Sequence, residues 1–295
     1  MLGTAPVPMG RARRFAEQRR APLEGAWLPT VAQPTGQDGF VPFTLSHPVA
    51  VLPLLRGGRG RGPLVALGLV TGALAPDVPF YAESAVRGAY GLGTITHRWW
   101  AVPTVDVVLA GGLAAGWQCL LREPELALLP APWAAAARAV TTGGGRRTLG
   151  WFAVSAALGA ATHVGWDEFT HQGRAGVRTF PVLARRVAGV PVYQVLQYGG
   201  SALGLAGLAR YTVALLAAER GPGRAPEPSW PATPQAAGVA ALGIGAAVGA
   251  AHRLLRRRRA SRLDECCFGA GAGLVLGASG HALAVRLLNR PAQRG

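Results

Sequence analysis

The sequence predicts an all-α polytopic transmembrane helical bundle, with five or six membrane segments and a short N-terminal helical hairpin. Three observations carry this. Half of the 295 residues are hydrophobic and only 15% are charged, a balance that belongs to membrane proteins. Several apolar stretches approach or exceed the ~20 residues that a helix needs to cross a bilayer. None of them alternates with the period of two that marks a half-buried strand.

The net charge of +16 comes from arginine alone, since the chain has no lysine. These arginines sit between the apolar segments, where juxtamembrane Arg belongs. They do not interleave with stacking aromatics as in a nucleic-acid binder. Membrane lipid is therefore the expected partner, and no nucleic acid. Cys119, Cys266 and Cys267 form neither a CxxC pair nor a spaced framework, which excludes a disulfide scaffold and a cysteine zinc site.

Residues 1–40 contain Arg11, Arg13, Arg14, Arg19 and Arg20 and no apolar core of a signal peptide. They read as a disordered basic extension, or as translation from an upstream start codon. Residues 41–218 form the membrane core. It opens with two apolar runs, 47–55 and 63–75, joined by a turn of Arg and Gly. Both are too short to span, so they form a hairpin packed on the bundle or a re-entrant pair. Thr44 or Ser46 can cap the first run, and Pro48 suits its opening turn. Pro76 and Pro79 bracket Asp77 and end the second.

A loop with Tyr81, Glu83, Arg87 and Tyr90 leads to Trp99 and Trp100, which read as interface anchors beside Arg98. Residues 101–121 form a span containing Asp106 and Gln118; 122–147 are a connector with a hinge at Gly143, Gly144 and Gly145; and 148–164 form the next span. A basic, irregular stretch at 174–191 precedes the longest apolar run, 192–218, in which Gln194, Gln197 and Arg210 face the bundle or an interface. A proline-rich loop at 219–235 separates this core from two additional C-terminal helices within 236–295. Glycines four apart, such as Gly68 and Gly72 or Gly245 and Gly249, allow close approach of helices in lipid.

The chemistry gathers at the end of the 148–164 run, where His163, Asp167 and His171 are spaced four apart. On a helix they share an arc of roughly 80°. Imidazole and carboxylate are the usual donors to zinc and its neighbours; a helix end meeting headgroups is the other reading. On an up-and-down path His47, Asp77, His97 and His163 all fall at one end of the bundle, and Asp167 and His171 follow them. Each has a structural alternative: a cap for His47, an Asx-turn for Asp77, an interfacial place for His97. On a helix continuous with His97, Asp106 lies half a turn out of phase and ~13 Å deeper, behind the ligands or in helix packing. His252 reads as interfacial, and His281 has no partner identifiable from sequence.

Five segments recur in order: Phe43-Thr44-Leu45-Ser46-His47-Pro48, Ala75-Pro76-Asp77, Thr96-His97 with Asp106, His163-x3-Asp167-x2-Thr170-His171, and Pro191-x-Tyr193-x3-Gln197-Tyr198. Over residues 41–218 this set resembles the domain-of-unknown-function family 4184 of bacterial integral membrane proteins. The last two apolar segments and the extension lie outside the resemblance, and the family brings no established activity. More distantly, the order is similar to membrane-bound metal-dependent hydrolases, which show an N-terminal His, a Pro-Asp, a Thr-His and a Ser-His-x3-Asp-x2-Thr motif. His47, Asp77, His97, His163, Asp167 and Thr170 occupy those positions. Pro79 stands where that group usually has a second Asp, and a single His stands near Thr96, with His171 as the compensating residue; the number of metals is left open.

The expected function is metal-assisted hydrolysis of a phosphoester or lipid-linked substrate at the membrane face. His47, His97, His163 and Asp167 ligate a divalent metal, zinc above others, and Asp77 bridges or orients. Glu168 or His171 is the general base, and Arg98 or Arg174 holds an anionic substrate. The alternative is a non-enzymatic scaffold or transporter whose His/Asp cluster is structural or an ion path. The arginine excess on the site side turns it towards the cytoplasm of a multi-pass protein in the cell membrane.

Overall fold

The computed structural model describes residues 44–142, 149–220, 235–256 and 262–289. The expectations for residues 1–40, the Gly143–Gly145 hinge, the proline-rich loop and Arg257 to Arg259 fall outside them. Within the described residues the chain is a helical bundle, and its β structure is two short hairpins: β1 (Leu55–Arg56) with β2 (Arg59–Gly60), and β3 (Arg186–Val187) with β4 (Val190–Pro191).

The opening hairpin starts as a 3-10 helix, Thr44–Leu54, interrupted by Pro48 and Pro53, each of which removes a backbone donor. It returns through β1 and β2 into α1 (Ala66–Leu74). Pro76 and Pro79 do not end the helical path. The chain tightens into a 3-10 turn at Ala75–Asp77 and continues as α2 (Val78–Ala82), because each proline sits in the first turn of its element, where no donor is needed. The expected loop before the tryptophans contains a further helix, α3 (Ala89–Thr96).

The next span begins at Val105, since Pro103 breaks any helix continuous with His97. It runs as α4 (Val105–Gly116), a π-helical turn at Trp117–Leu121 and α5 (Arg122–Leu126). The presumed connector after it holds α6 (Ala131–Thr142). Then come α7 (Leu149–Thr170), the short α8 (Ala175–Thr179), α9 (Val192–Arg220), α10 (Gln235–Arg256) and α11 (Arg262–Leu288).

Among the described residues, four helical stretches are long and apolar enough to cross a membrane: Val105–Leu126, Val192–Arg220, Gln235–Arg256 and Arg262–Leu288. The fifth expected span, α7, has the length, but its last turns carry His163, Trp166, Asp167 and Glu168 in place of apolar residues.

Small residues set the closest contacts. Gly72 of α1 and Gly159 of α7 interlock: a Cβ at Gly72 would lie 2.1 Å from the carbonyl oxygen of Ala156, and one at Gly159 2.2 Å from that of Leu69. This brings α1 directly against the helix that bears His163. The α10–α11 pair is closer still, since a Cβ at Gly273 would meet the Gly245 carbonyl oxygen at 1.9 Å. Backbone cannot step aside as a side chain can. Gly273→Ala is expected to destabilise the pair by about 1–3 kcal/mol or more, read as a lowered unfolding midpoint in detergent; an unchanged midpoint would mean that the helices separate freely. Polar contacts dock α11 onto the π turn and α5: Arg286 donates to the Leu120 carbonyl at 3.2 Å, and His281 Nδ1 lies 3.1 Å from Glu125 Oε1. His281 thus has the partner that the sequence did not reveal.

Candidate metal centre

Five chain segments deliver the polar residues to one place. His47 comes from the 3-10 helix Thr44–Leu54, Asp77 from the 3-10 turn after α1, His97 from the residue after α3, His163 and Asp167 from α7, and His171 from just beyond it. Exposure runs from 0% for His163 to 9% for His47, with Asp77, His97 and Asp167 between them. Two carboxylates and three imidazoles at this depth must satisfy one another or share a cation.

The distances describe a cage. His97 Nε2 lies 3.4 Å from Asp77 Oδ1 and 3.2 Å from Asp167 Oδ2. His163 Nε2 lies 3.5 Å from each of the same two oxygens. A tetrahedral zinc site with bonds of ~2.0–2.1 Å has donor-to-donor edges of about 3.3–3.4 Å. Four edges of the cage therefore have the right length. His47 flanks it, stacked on His163 with ring centroids 3.8 Å apart and with Nε2 3.3 Å from Asp167 Oδ1. His47, His163 and Asp167 form one group able to hold an ion, and Asp77, His97 and His163 form another.

Hydrogen bonds from the opposite side of each ring fix which nitrogen looks inward. His163 Nδ1 meets the Ala73 carbonyl at 2.8 Å, His97 Nδ1 the Gly93 carbonyl at 2.8 Å, and His47 Nδ1 the Thr44 carbonyl at 3.3 Å. A carbonyl only accepts, so each Nδ1 carries its proton and Nε2 is the nitrogen turned towards the carboxylates: it donates to them when the ring is protonated and offers a lone pair when the ring is neutral. Buried His163 Nε2 has no hydrogen-bond partner among the described residues. A buried ring nitrogen facing two carboxylate oxygens is a position that positive charge satisfies, as a proton on the ring or as a metal ion between them.

The two carboxylates demand positive charge, and the imidazoles around them supply it when protonated. Burial pushes the Asp77 carboxyl up, but His163 and His97 outweigh it and hold the group well below the usual carboxylate range. Burial pushes the His97 imidazole down, and Asp167 and Asp77 outweigh it in turn and raise it.

Around the cage, Thr44 donates its hydroxyl to Asp77 Oδ2 and so orients that carboxylate. Thr96 donates to the Pro76 carbonyl at 2.6 Å and ties α3 to the Asp77 turn. Gly93 is glycine because the Phe80 ring presses on it: a Cβ there would fall 2.0 Å from Phe80 Cε1. Phe80 in turn lies 5.5 Å from the His97 ring. His171 Nδ1 is 3.3 Å from Asp167 Oδ1, and its Nε2 meets the Gln197 amide nitrogen at 3.1 Å. With Gln197 donating to Nε2, the Nδ1–H points at Asp167, which makes His171 an orienting donor.

Glu168, one of the two residues expected as the base, is engaged by the segment that follows α7. One of its oxygens accepts from Ala175 N at 2.7 Å and the other lies 3.8 Å from Arg174 Nη1, so the carboxylate anchors the start of α8. Arg174 also donates to the His97 carbonyl at 3.2 Å, whereas Arg98 is exposed beside it. The expected depth of Asp106 is corrected. It belongs to the first turn of a separate helix, α4, is fully buried, and interacts electrostatically with His97 and His163.

Sequence reasoning missed the floor of the site. Arg253 of α10 is buried, donates to the Phe80 carbonyl at 2.8 Å, and pairs with Glu265 of α11 at 2.5 Å. Phe268 packs against Phe80 with its ring tilted and centroids 5.5 Å apart. The last two helices therefore bear on the residue that backs His97. The signal that was available is the Arg253 and Glu265 pair at the facing ends of consecutive helices.

Comparison with known proteins bears on the same point. The chain matches the family described as Domain of unknown function (DUF4184) over residues 41–279. It belongs to this family. The DUF4184 match runs past residue 218 through α10 and most of α11, so these helices are within the family's span and not an addition to it. No curated protein and no solved structure gave a match.

Proposed function

We propose that this DUF4184 protein is a multi-pass membrane protein holding a divalent metal, zinc in first place, and acting as a hydrolase on a phosphoester or lipid-linked substrate at the membrane face. One observation carries the reading: four donor-to-donor distances of 3.2–3.5 Å join His97 and His163 Nε2 to Asp77 and Asp167, and the buried His163 nitrogen has no hydrogen-bond partner among the described residues. Asp77, His97, His163 and Asp167 would hold the ion, with His47 beside them. A bound divalent ion supplies an acidified water and a Lewis acid for a phosphoryl or acyl oxygen.

The chain's own residues do the rest. Thr44 and His171 aim the two carboxylates, and the backbone carbonyls of Thr44, Ala73 and Gly93 fix the three imidazoles, the outer support that ligating residues use. Arg174, part-exposed at the rim, offers a cation to an anionic substrate. The excess of arginine on this side of the bundle supports a cytoplasmic orientation.

The rival reading is a scaffold or transporter, and one observation favours it: the carboxylates already pair with imidazoles within the protein. Metal analysis of purified protein, together with turnover of an aryl phosphate and an aryl ester, separates the two. About one equivalent of zinc, with turnover lost to a chelator and restored by zinc, is the expected result. Bound metal without turnover on either substrate would favour a transporter, and absence of metal a scaffold.

A further inference from the structure

The segment between α7 and α9 has properties that the metal cluster does not require. It folds as α8, a 3-10 turn at Pro181–Ala184 and the β3–β4 hairpin, and it leads directly into the membrane-length helix α9. Its apolar residues point outward: Phe180, Val182, Val187 and Val190 are 39–63% exposed. Phe169, at the end of α7, joins them, with its ring 6.0 Å from that of Phe180.

Arg178, Arg185 and Arg186 are exposed on the same segment. No acidic residue occurs between Glu168 and Glu219 to neutralise them. Two of them rest on backbone carbonyls: Arg178 donates to Gly173 and Arg186 to Gly189. The hairpin is fixed to the membrane helix by the bond from Val192 N to the Arg185 carbonyl, 2.9 Å long. Its apolar and cationic groups are thereby held at the mouth of a membrane-length helix.

We infer that this lobe is a membrane-surface element, with Phe180, Val182 and Val187 entering the bilayer boundary and Arg178, Arg185 and Arg186 binding the headgroups of anionic phospholipid. Exposed apolar side chains beside cations are the pattern of interfacial segments. Each arginine near an anionic surface favours it by about fivefold. The lobe also connects physically to the cluster, because Glu168 accepts from its first helix and Arg174 reaches the His97 carbonyl. The inference stands whether or not the cluster holds a metal.

The test places the photo-crosslinking residue p-benzoylphenylalanine at position 180 of the full chain, in nanodiscs of equimolar zwitterionic and anionic phospholipid, and identifies the adducts by mass. The expected product is a lipid adduct in which the anionic species exceeds the zwitterionic by roughly tenfold or more, given about fivefold per arginine. Changing Arg178, Arg185 and Arg186 together to Gln should return the ratio to near one while lipid crosslinking persists. A second reporter at position 187 guards against a local effect at 180. Equal adducts in the unaltered chain, crosslinks confined to protein, or no lipid adduct at either position would overturn the proposal.

Discussion

Asp167→Asn is expected to lower the affinity for zinc by more than a hundredfold and to abolish its retention through purification. Asp167 is the residue that all the imidazoles share: Oδ2 faces His97 and His163, and Oδ1 faces His47 and His171. The amide keeps the shape and removes the charge. Loss of an outer support already costs 10–100-fold in metal affinity, so loss of a direct ligand exceeds that range. Gln197→Leu, which removes only the prop behind His171, should fall within it. Metal content measured beside circular dichroism distinguishes a lost ligand from a lost fold. Equal zinc in the Asn variant and the parent would remove Asp167 from the ligand set.

The second large effect concerns Glu265. Glu265→Ala leaves the Arg253 guanidinium buried without its carboxylate, and breaking such a pair destabilises by about 3–5 kcal/mol. Replacing both partners, Arg253→Met with Glu265→Leu, should restore much of the loss, because a buried ion pair often exchanges for apolar packing at little net change. Denaturant titration in mild detergent reads both variants. If the single change moves stability by less than about 1 kcal/mol, the guanidinium is reaching water and the pair is not a buried one. Arg253 also supports the Phe80 carbonyl, so the single variant should weaken zinc binding as well.

The long helices were legible because their signal is simple: apolar length without alternation locates α9 closely, whereas α10 and α11 each extend about a turn further into the charged residues between them. The gathering of His47, Asp77, His97, His163 and Asp167 was legible for a different reason, since each stands at a helix end or within about two turns of one, and helix ends are what a bundle brings together. Short helices were hidden. In α3 and α6 the glycine, alanine and proline content weakens any periodic signal, and their existence depends on packing. Asp106 was misplaced because residues 97–106 were treated as one helix, although Pro103 argued against it. Arg253 could be paired with Glu265 from their places at the facing ends of consecutive helices, but nothing in a run of arginines pointed it at Phe80. Its partners, Phe80 and Glu265, lie 173 and 12 residues away.

The proline-bearing 3-10 helix that carries His47 has a kinetic consequence. The other candidate ligands are carried by α7 or lie beside α1 and α3, whereas His47 rides on a segment lacking two backbone donors, and it is the most exposed of the five. An ion enclosed by the cluster would have a long residence time, since release needs a local opening of the structure. The segment least anchored by its own backbone is where that opening starts. Chelator extraction should then be slow, and its rate should follow the motion of residues 44–54 more closely than the equilibrium affinity of the site.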